Sequence, residues 1–432
     1  MGHMPMTTER PSPRAWAAVA TLTLGIFTIV TTEILPVGLL TPIGASFTVS
    51  DGAAGLMMTM PGLLAAVAAP TISAATARLD RRRLLASFTA LLLLANVLAA
   101  AAPGYPVMLL SRVLLGIVVG GFWSVGAGLA ARLVPPRSVP RATAVIFSAV
   151  PLGSVLGVPA GTFVGDVAGW RTAFAVLAAL AAVTLAALWA LLPPLPPEET
   201  TRPAALRVLL GRTGIRSALL VTFLIVLAHF GTYTYLTPFL ADVTRLDPSL
   251  TPTFLLVYGV AGIAGNFAGG SAVARFPRAS FATATGGIAA ATLLLPLLGH
   301  RPAAVIALLV LWGFAYGAVP VCSQTWFANA APDAPGAASV LFTASFQATL
   351  SAGALTGGVL VDRTSPATVM ALGGATALLA TLAIAVRPSD LRRIRPRRTA
   401  TRRIRPCEDH RPRSTLSAHQ APIAQPDRAS DF

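Results

Sequence analysis

Glu33 is the only charge in an otherwise apolar run of 26 residues, Ala15 to Leu40. A run of that length matches a helix crossing the hydrocarbon core of a bilayer. A carboxyl group inside it is costly unless it faces a polar cavity or a partner, so Glu33 marks a functional site. Twelve such runs occur, at 15–40, 53–77, 84–102, 107–134, 140–167, 172–192, 214–241, 252–274, 280–298, 302–326, 336–361 and 366–386. They are numbered here as spans 1 to 12. The expected fold is all-α and membrane-embedded. Span 1 follows Arg10 and Arg14 but is too long for the apolar core of a signal peptide, so it reads as an uncleaved first helix.

The chain is 55% hydrophobic and only 11% charged, with a mean hydropathy of +0.72. The net charge of +16 invites a nucleic-acid reading, yet 12 of the 32 basic residues lie between Arg387 and Arg428, beyond the last span. That tail has no interleaved aromatic residue for base stacking, so lipid headgroups or water are its expected surroundings and no nucleic acid is expected. It is expected to be disordered and dispensable for activity. All the basic residues are Arg, which excludes a Walker A loop or a Schiff base. Two cysteines, Cys322 and Cys407, give neither a disulfide framework nor a metal site, and no cofactor is expected.

Arg falls in alternate connections: Arg10 and Arg14; Arg78 and Arg81 to Arg83; Arg132, Arg137 and Arg141; Arg202 to Arg216; Arg275 and Arg278; then the tail. The opposite connections carry only Arg171, Arg245, Arg301 and Arg363, which places both termini in the cytoplasm of a bacterial inner membrane. The Pro- and Glu-bearing stretch after Leu192 divides the spans six and six. The expected organisation is a cytoplasmic N-terminus 1–14, a half 15–192, a cytoplasmic linker 193–213, a half 214–386 and the tail 387–432. Arg78 and Arg275 lie 197 positions apart, and Asp166 and Asp362 lie 196 apart, as a weak internal repeat requires. Two six-helix halves in parallel repeat form a transporter architecture, with substrate bound between them near the midplane.

Spans 4, 5, 8, 10 and 11 carry Gly at four-residue spacing: Gly116/Gly120, Gly153/Gly157/Gly161, Gly265/Gly269, Gly313/Gly317 and Gly353/Gly357. Such ladders let backbones approach closely. Pro151 and Pro159 sit within the span 5 ladder, so that helix is expected to kink.

The span 5 string "PLGSVLGVPAGTFVGDVAGWRTAF" resembles the antiporter motif of the major facilitator superfamily, in its twelve-span drug/proton antiporter group. "TTEILPVGLL" (Thr31 to Leu40) is similar to that group's first span and "HFGTYTYLTPFL" (His229 to Leu240) to its seventh. "TARLDRRRLL" resembles the superfamily's loop between spans 2 and 3, with Asp80 and Arg81 at the charged positions. It departs where Thr76 and Arg82 replace glycines. The resemblance covers roughly 15–386. It implies the major facilitator fold, with two pseudo-symmetric six-helix halves, and proton-driven export of a small organic molecule by a monomer. Drugs, sugars and nucleosides remain open as substrates. An uncoupled facilitator, which would not need a titratable Glu33, and a membrane-embedded enzyme are the alternatives. The spans show no metal-ligand spacing and no nucleophile motif, so the chain is not expected to be an enzyme.

The resemblance implies that Glu33 and Arg112 share proton coupling as an alternating pair. Counted from the run ends, they lie at matching depths of roughly 10 and 8 Å. A static ion pair or a snorkelling Arg is the plainer alternative. Helical spacing puts Gly116, Gly120 and Trp123 on the Arg112 face, toward the cavity. His229 in span 7 is a second candidate for the proton, or else a satisfied hydrogen-bonding group. Thr32, Trp123, Tyr233, Trp312, Tyr316, Gln324 and Gln347 are the candidate cavity residues, with core filling the competing explanation for the aromatic ones. Asp80, Arg81, Gly153, Gly157, Pro159 and Gly161 are the candidate conformational elements.

Overall fold

A computed structural model describes residues 12–76, 79–126, 129–196 and 203–386, which all belong to one compact unit. Expectations for the N-terminal segment with Arg10, for Arg78, for Glu198 and Glu199 of the linker and for the tail with Cys407 fall outside the described residues.

Twelve helices among the described residues are long and apolar enough to span a membrane: Pro13–Ile34, Asp51–Ala69, Arg81–Ala100, Tyr105–Trp123, Pro136–Ala168, Trp170–Leu191, Thr213–Tyr233, Pro248–Val273, Pro277–Leu298, Pro302–Ala330, Pro335–Arg363 and Pro366–Val386. Seven of them begin on proline, whose missing N–H costs nothing in a first turn, and this is why proline punctuation located the boundaries. Side-chain caps start one of these seven and two others. Ser12 Oγ accepts from Ala15 N, Ser50 Oγ from Ala53 N, and Asp80 from the Arg82 and Arg83 N–H groups.

Spans 1 and 7 depart from the expected runs, span 7 by a break between Tyr233 and Leu236, and the linker adds a helix. Span 1 breaks at Leu35 and continues as a second helix, Pro36–Phe47. Its far end is therefore Phe47 rather than Leu40, seven residues or roughly 10 Å further along. The linker carries a short helix of its own, Pro203–Leu210.

The internal repeat is visible in the packing. In the first half span 2 packs on span 4, span 3 on spans 4 and 6, and span 1 on spans 5 and 6. Adding six to every number gives the pairs of the second half: 8 on 10, 9 on 10 and 12, and 7 on 11 and 12. Each half has its own apolar core. The halves meet along spans 2 and 11, along spans 5 and 8, and where the Pro36–Phe47 helix crosses Leu236–Asp242 after span 7.

The glycine ladders are used for these close approaches. A Cβ on Gly120 would lie 2.8 Å from the Ala65 carbonyl oxygen of span 2, so the two backbones are in contact there. The Gly116/Gly120 face therefore packs on span 2 instead of opening on a cavity. Span 5 carries a π-helical turn at Gly153–Gly157, just before Pro159, and this is the expected irregularity. A Cβ on Gly157 would stand 2.9 Å from Cβ of Thr31, so the turn lies against the stretch of span 1 that precedes Glu33.

Candidate functional site

The site grows out of the break in span 1. Proline has no N–H, so Pro36 cannot donate to the carbonyl four residues earlier, that of Thr32. Arg112 takes that carbonyl: its Nη1 donates to Thr32 O at 3.0 Å. Arg112 is 0% exposed, its Nε donates to Ser111 Oγ at 3.1 Å, and its guanidinium lies 4.9 Å from the centre of the Phe174 ring. Its Nη2 has no hydrogen-bond partner. The break that a proline imposes on span 1 thus creates an acceptor for a buried cation on span 4.

Glu33, next in sequence and 7% exposed, points elsewhere. Its Oε1 accepts from Gln347 Nε2 of span 11 at 2.9 Å. No ion pair joins Glu33 to Arg112. An ionised carboxylate buried beside a neutral donor is poorly compensated, and a protonated acid suits this setting. Thr32 Oγ1 donates to Thr28 O at 2.7 Å and accepts from Asn96 Nδ2 of span 3 at 3.3 Å. Asn96, Ser111 and Phe174 were not singled out from sequence. Asn96 carried a signal, being the only side-chain amide in the apolar run of span 3.

Span 7 repeats the device. Pro238 frees the carbonyl of Thr234, and the helix breaks there before resuming at Leu236. Tyr235, immediately after Thr234, corresponds to Glu33 immediately after Thr32. Its Oη donates to Ala354 O at 2.7 Å, again on span 11. Thr237 Oγ1 donates to Val37 O at 2.6 Å, tying the two broken helices together across the halves.

From Gln347 a stripe on span 11 runs toward one end of the bundle. Ser351 Oγ donates to Thr59 O of span 2 at 2.8 Å. At the end of the stripe Asp362 accepts from Ser50 Oγ at 2.7 Å and Gly52 N at 2.8 Å. Asp362 therefore caps span 2 from the opposite half. These bonds close the end of the bundle that carries the connections between spans 1 and 2 and between spans 7 and 8.

His229, Tyr233, Trp312 and Tyr316 come together within the second half. Trp312 Nε1 donates to His229 Nδ1 at 3.1 Å. An indole only donates, so Nδ1 presents its lone pair and the imidazole is neutral with its hydrogen on Nε2. In this arrangement His229 is the satisfied hydrogen-bonding group. Phe230 and Tyr258, which sequence reading passed over, complete the cluster. Gln324 is exposed. Trp123 packs with Leu22, Ile26, Phe122, Ile146 and Phe147 inside the first half.

Asp80 and Arg81 hold the start of the linker. Asp80 Oδ2 accepts from Leu195 N at 3.0 Å, and Arg81 N donates to Leu195 O at 2.8 Å. Around them Arg82 donates to Trp189 O and Arg14 to Ala190 O, so arginines satisfy carbonyls that the end of span 6 leaves without helical partners. Gly153 and Gly157 lie in the π-helical turn, with Pro159 and Gly161 just beyond it.

The model of one family, the Major Facilitator Superfamily, matches residues 22–354. The chain belongs to that superfamily. Among relatives of this superfamily member, a purine ribonucleoside efflux pump, NepI, of Salmonella paratyphi A is 30% identical over 372 residues, covering 86% of this chain and 94% of the relative. The NepI of Escherichia coli is 30% identical over 369 residues, covering 85% and 93%. Two solved structures share the fold. The human organic anion transporter MFSD10 (TETRAN) superposes with a TM-score of 0.65 at 19% identity, over 86% of this chain and all of that one. A bacterial homologue of the human lysosomal transporter Spinster, inward-facing and unoccupied, superposes with a TM-score of 0.68 at 17% identity, over 87% and 95%. Those two likenesses show the fold of this superfamily member.

Proposed function

We propose that this protein exports a purine-nucleoside-like molecule in exchange for protons. The observation that carries the reading is Glu33, a buried acid at the break of span 1 whose hydrogen-bond donor, Gln347, belongs to the other half. Any motion that rocks one half against the other changes the surroundings of Glu33. With the halves as described, the acid faces a neutral donor and keeps a proton. When they reorient, Glu33 leaves Gln347, and the unpartnered Nη2 of Arg112 is the cation placed to receive the carboxylate. Proton release and binding would then follow the reorientation of the halves, which is what coupling requires. The substrate class is carried by the similarity to the NepI pumps.

The Arg-rich connections support a reading with both termini on the cytoplasmic face of a bacterial inner membrane. On that reading the end closed by Asp362 faces outward. One chain supplies both halves, which is compatible with a monomer as the working unit. Each proton crossing supplies about 2.3 kcal/mol per 100 mV, and each pH unit about 1.4 kcal/mol more. Inverted membrane vesicles containing the protein should accumulate labelled inosine when an acid-inside gradient is imposed. Equilibration of inosine with no accumulation under the imposed gradient would favour a facilitator instead.

A further inference from the structure

Four near-parallel rings from three spans pack together. Tyr316 of span 10 stacks on His229 of span 7 at 3.4 Å between centroids and 5° between planes. Tyr233 lies 5.3 Å from His229 at 15°, and Tyr258 of span 8 lies 6.5 Å from His229 at 18° and 4.8 Å from Tyr233 at 26°, so these three rings form a triangle. Trp312 stands edge-on to His229, Tyr233 and Tyr258, at 80°, 86° and 81°, and its indole hydrogen bond fixes the His229 ring. Edge-on packing on one side and ring contacts on the others leave little freedom to the inner rings.

The rings differ in exposure. His229, Tyr233, Tyr258 and Trp312 are buried, whereas Tyr316 is half-buried. One face of Tyr316 is covered by His229, so the accessible area lies on its other face and its edges. Phe230 meets Tyr316 edge-on at 89°, and Phe346 of span 11 meets Phe230 edge-on at 86°. Gln347, bound to Glu33 through one amide hydrogen, keeps a second hydrogen and its carbonyl oxygen for another partner.

We infer that the face of Tyr316 not covered by His229 is the platform on which the transported base stacks, with Gln347 reading its hydrogen-bonding edge. The ligand class this fits is a planar, neutral, fused heteroaromatic with donors and acceptors on its rim, which a purine is. A stacked surface favours the larger ring, so a purine nucleoside binds more tightly than a pyrimidine nucleoside. This assignment rests on the reading of the chain as a nucleoside exporter, but it is tested by binding alone.

The experiment is equilibrium binding of labelled inosine to the purified full-length chain in lipid nanodiscs, with cytidine as competitor. Tyr316→Leu, which removes the ring, should weaken inosine binding roughly 10-fold or more, the loss typical of a base–aromatic stack. Tyr316→Phe, which keeps the ring and removes the hydroxyl, should bind within about 3-fold of the wild type. Cytidine should compete poorly against the wild type, and that preference should disappear in Tyr316→Leu. Wild-type affinity in a Tyr316→Leu protein that elutes as a folded species would overturn the platform and leave the exporter reading intact. Equal loss in the Phe and Leu variants would overturn it too, by assigning the effect to the hydroxyl. A wild type that binds neither nucleoside would overturn the substrate class and the platform together.

Discussion

Gln347 on span 11 donates its side-chain amide to the carboxyl of Glu33 on span 1, 2.9 Å away and across the boundary between the halves. The same face of span 11 bonds Thr59 through Ser351, and it ends at Asp362, which caps span 2. The candidate proton site and the closed end of the bundle are therefore joined along one helix. Replacing Gln347 by Leu keeps the volume close and removes the donor from a buried acid. An unmet buried hydrogen-bonding group costs about 1–3 kcal/mol. Export by Gln347→Leu should fall by roughly 5- to 150-fold, the factor that such an energy represents. Export measured at matched membrane abundance checks this, and an unchanged rate would separate Gln347 from the transport cycle.

Pro36 supplies the second prediction. Pro36→Ala restores an N–H that can bond Thr32 O and straighten span 1, in competition with Arg112. The helix itself should gain stability, since alanine is favoured over proline in a helix interior by about 3 kcal/mol. Transport should nevertheless drop, on the order of 10-fold, because the acceptor of a buried guanidinium is lost. A variant that is thermally no weaker but transports poorly is the expected signature. Full activity would show that the break is incidental.

The closed end can be tested by covalent trapping. Ser50 and Asp362 belong to opposite halves and touch through a hydrogen bond of 2.7 Å. A Ser50→Cys/Asp362→Cys variant, in which both native cysteines are replaced by Ser, should cross-link on mild oxidation. The cross-link should stop export, and reduction should restore it. Export that continues in fully cross-linked protein would mean that this end does not open during transport.

The pair between Arg212 and Asp333 should respond to pH in a defined sense. Two parallel hydrogen bonds of 2.6 and 2.7 Å join them outside the spans, and Arg212 holds the Asp333 carboxyl down to about 2. A carboxyl held below its ordinary value of 3.8 contributes stability that is fully present above that value. The contribution is lost as the pH falls from there toward 2. The pair is exposed to solvent, so its contribution is small. Thermal unfolding of Asp333→Asn should match the wild type more closely as the pH is lowered through this window, and any difference should be constant from pH 5 to 8.

The fold was legible because a bilayer imposes helix length and because proline and arginine mark the ends of the helices. The number of spans, the division into halves and the kink of span 5 all followed from such local signals. The break at Leu35 was missed although Pro36 was in plain view, because the apolar run continues through it. Lateral neighbours were the hardest to see. Helical spacing gave Gly116 and Gly120 a common face with Arg112 but not the helix that face meets, which is span 2. Depth along spans 1 and 4 suggested Arg112 as the partner of Glu33, whereas the donor is Gln347, 314 residues away. His229 offered a titratable ring, and only the fold brings Trp312, 83 residues further on, to occupy its Nδ1.

The account rests on Glu33 as the proton carrier, and the most direct measurement is the pH-driven accumulation of inosine by Glu33→Gln in proteoliposomes. Glutamine keeps the shape and a hydrogen-bonding carbonyl but cannot exchange a proton. The variant should fail to concentrate inosine when a pH difference of 2 units, about 2.7 kcal/mol per proton, is imposed. It should still equilibrate labelled inosine between the two sides, since binding and reorientation remain possible. Accumulation against the inosine gradient by Glu33→Gln, at the wild-type level and abolished by collapsing the pH difference, would contradict the account.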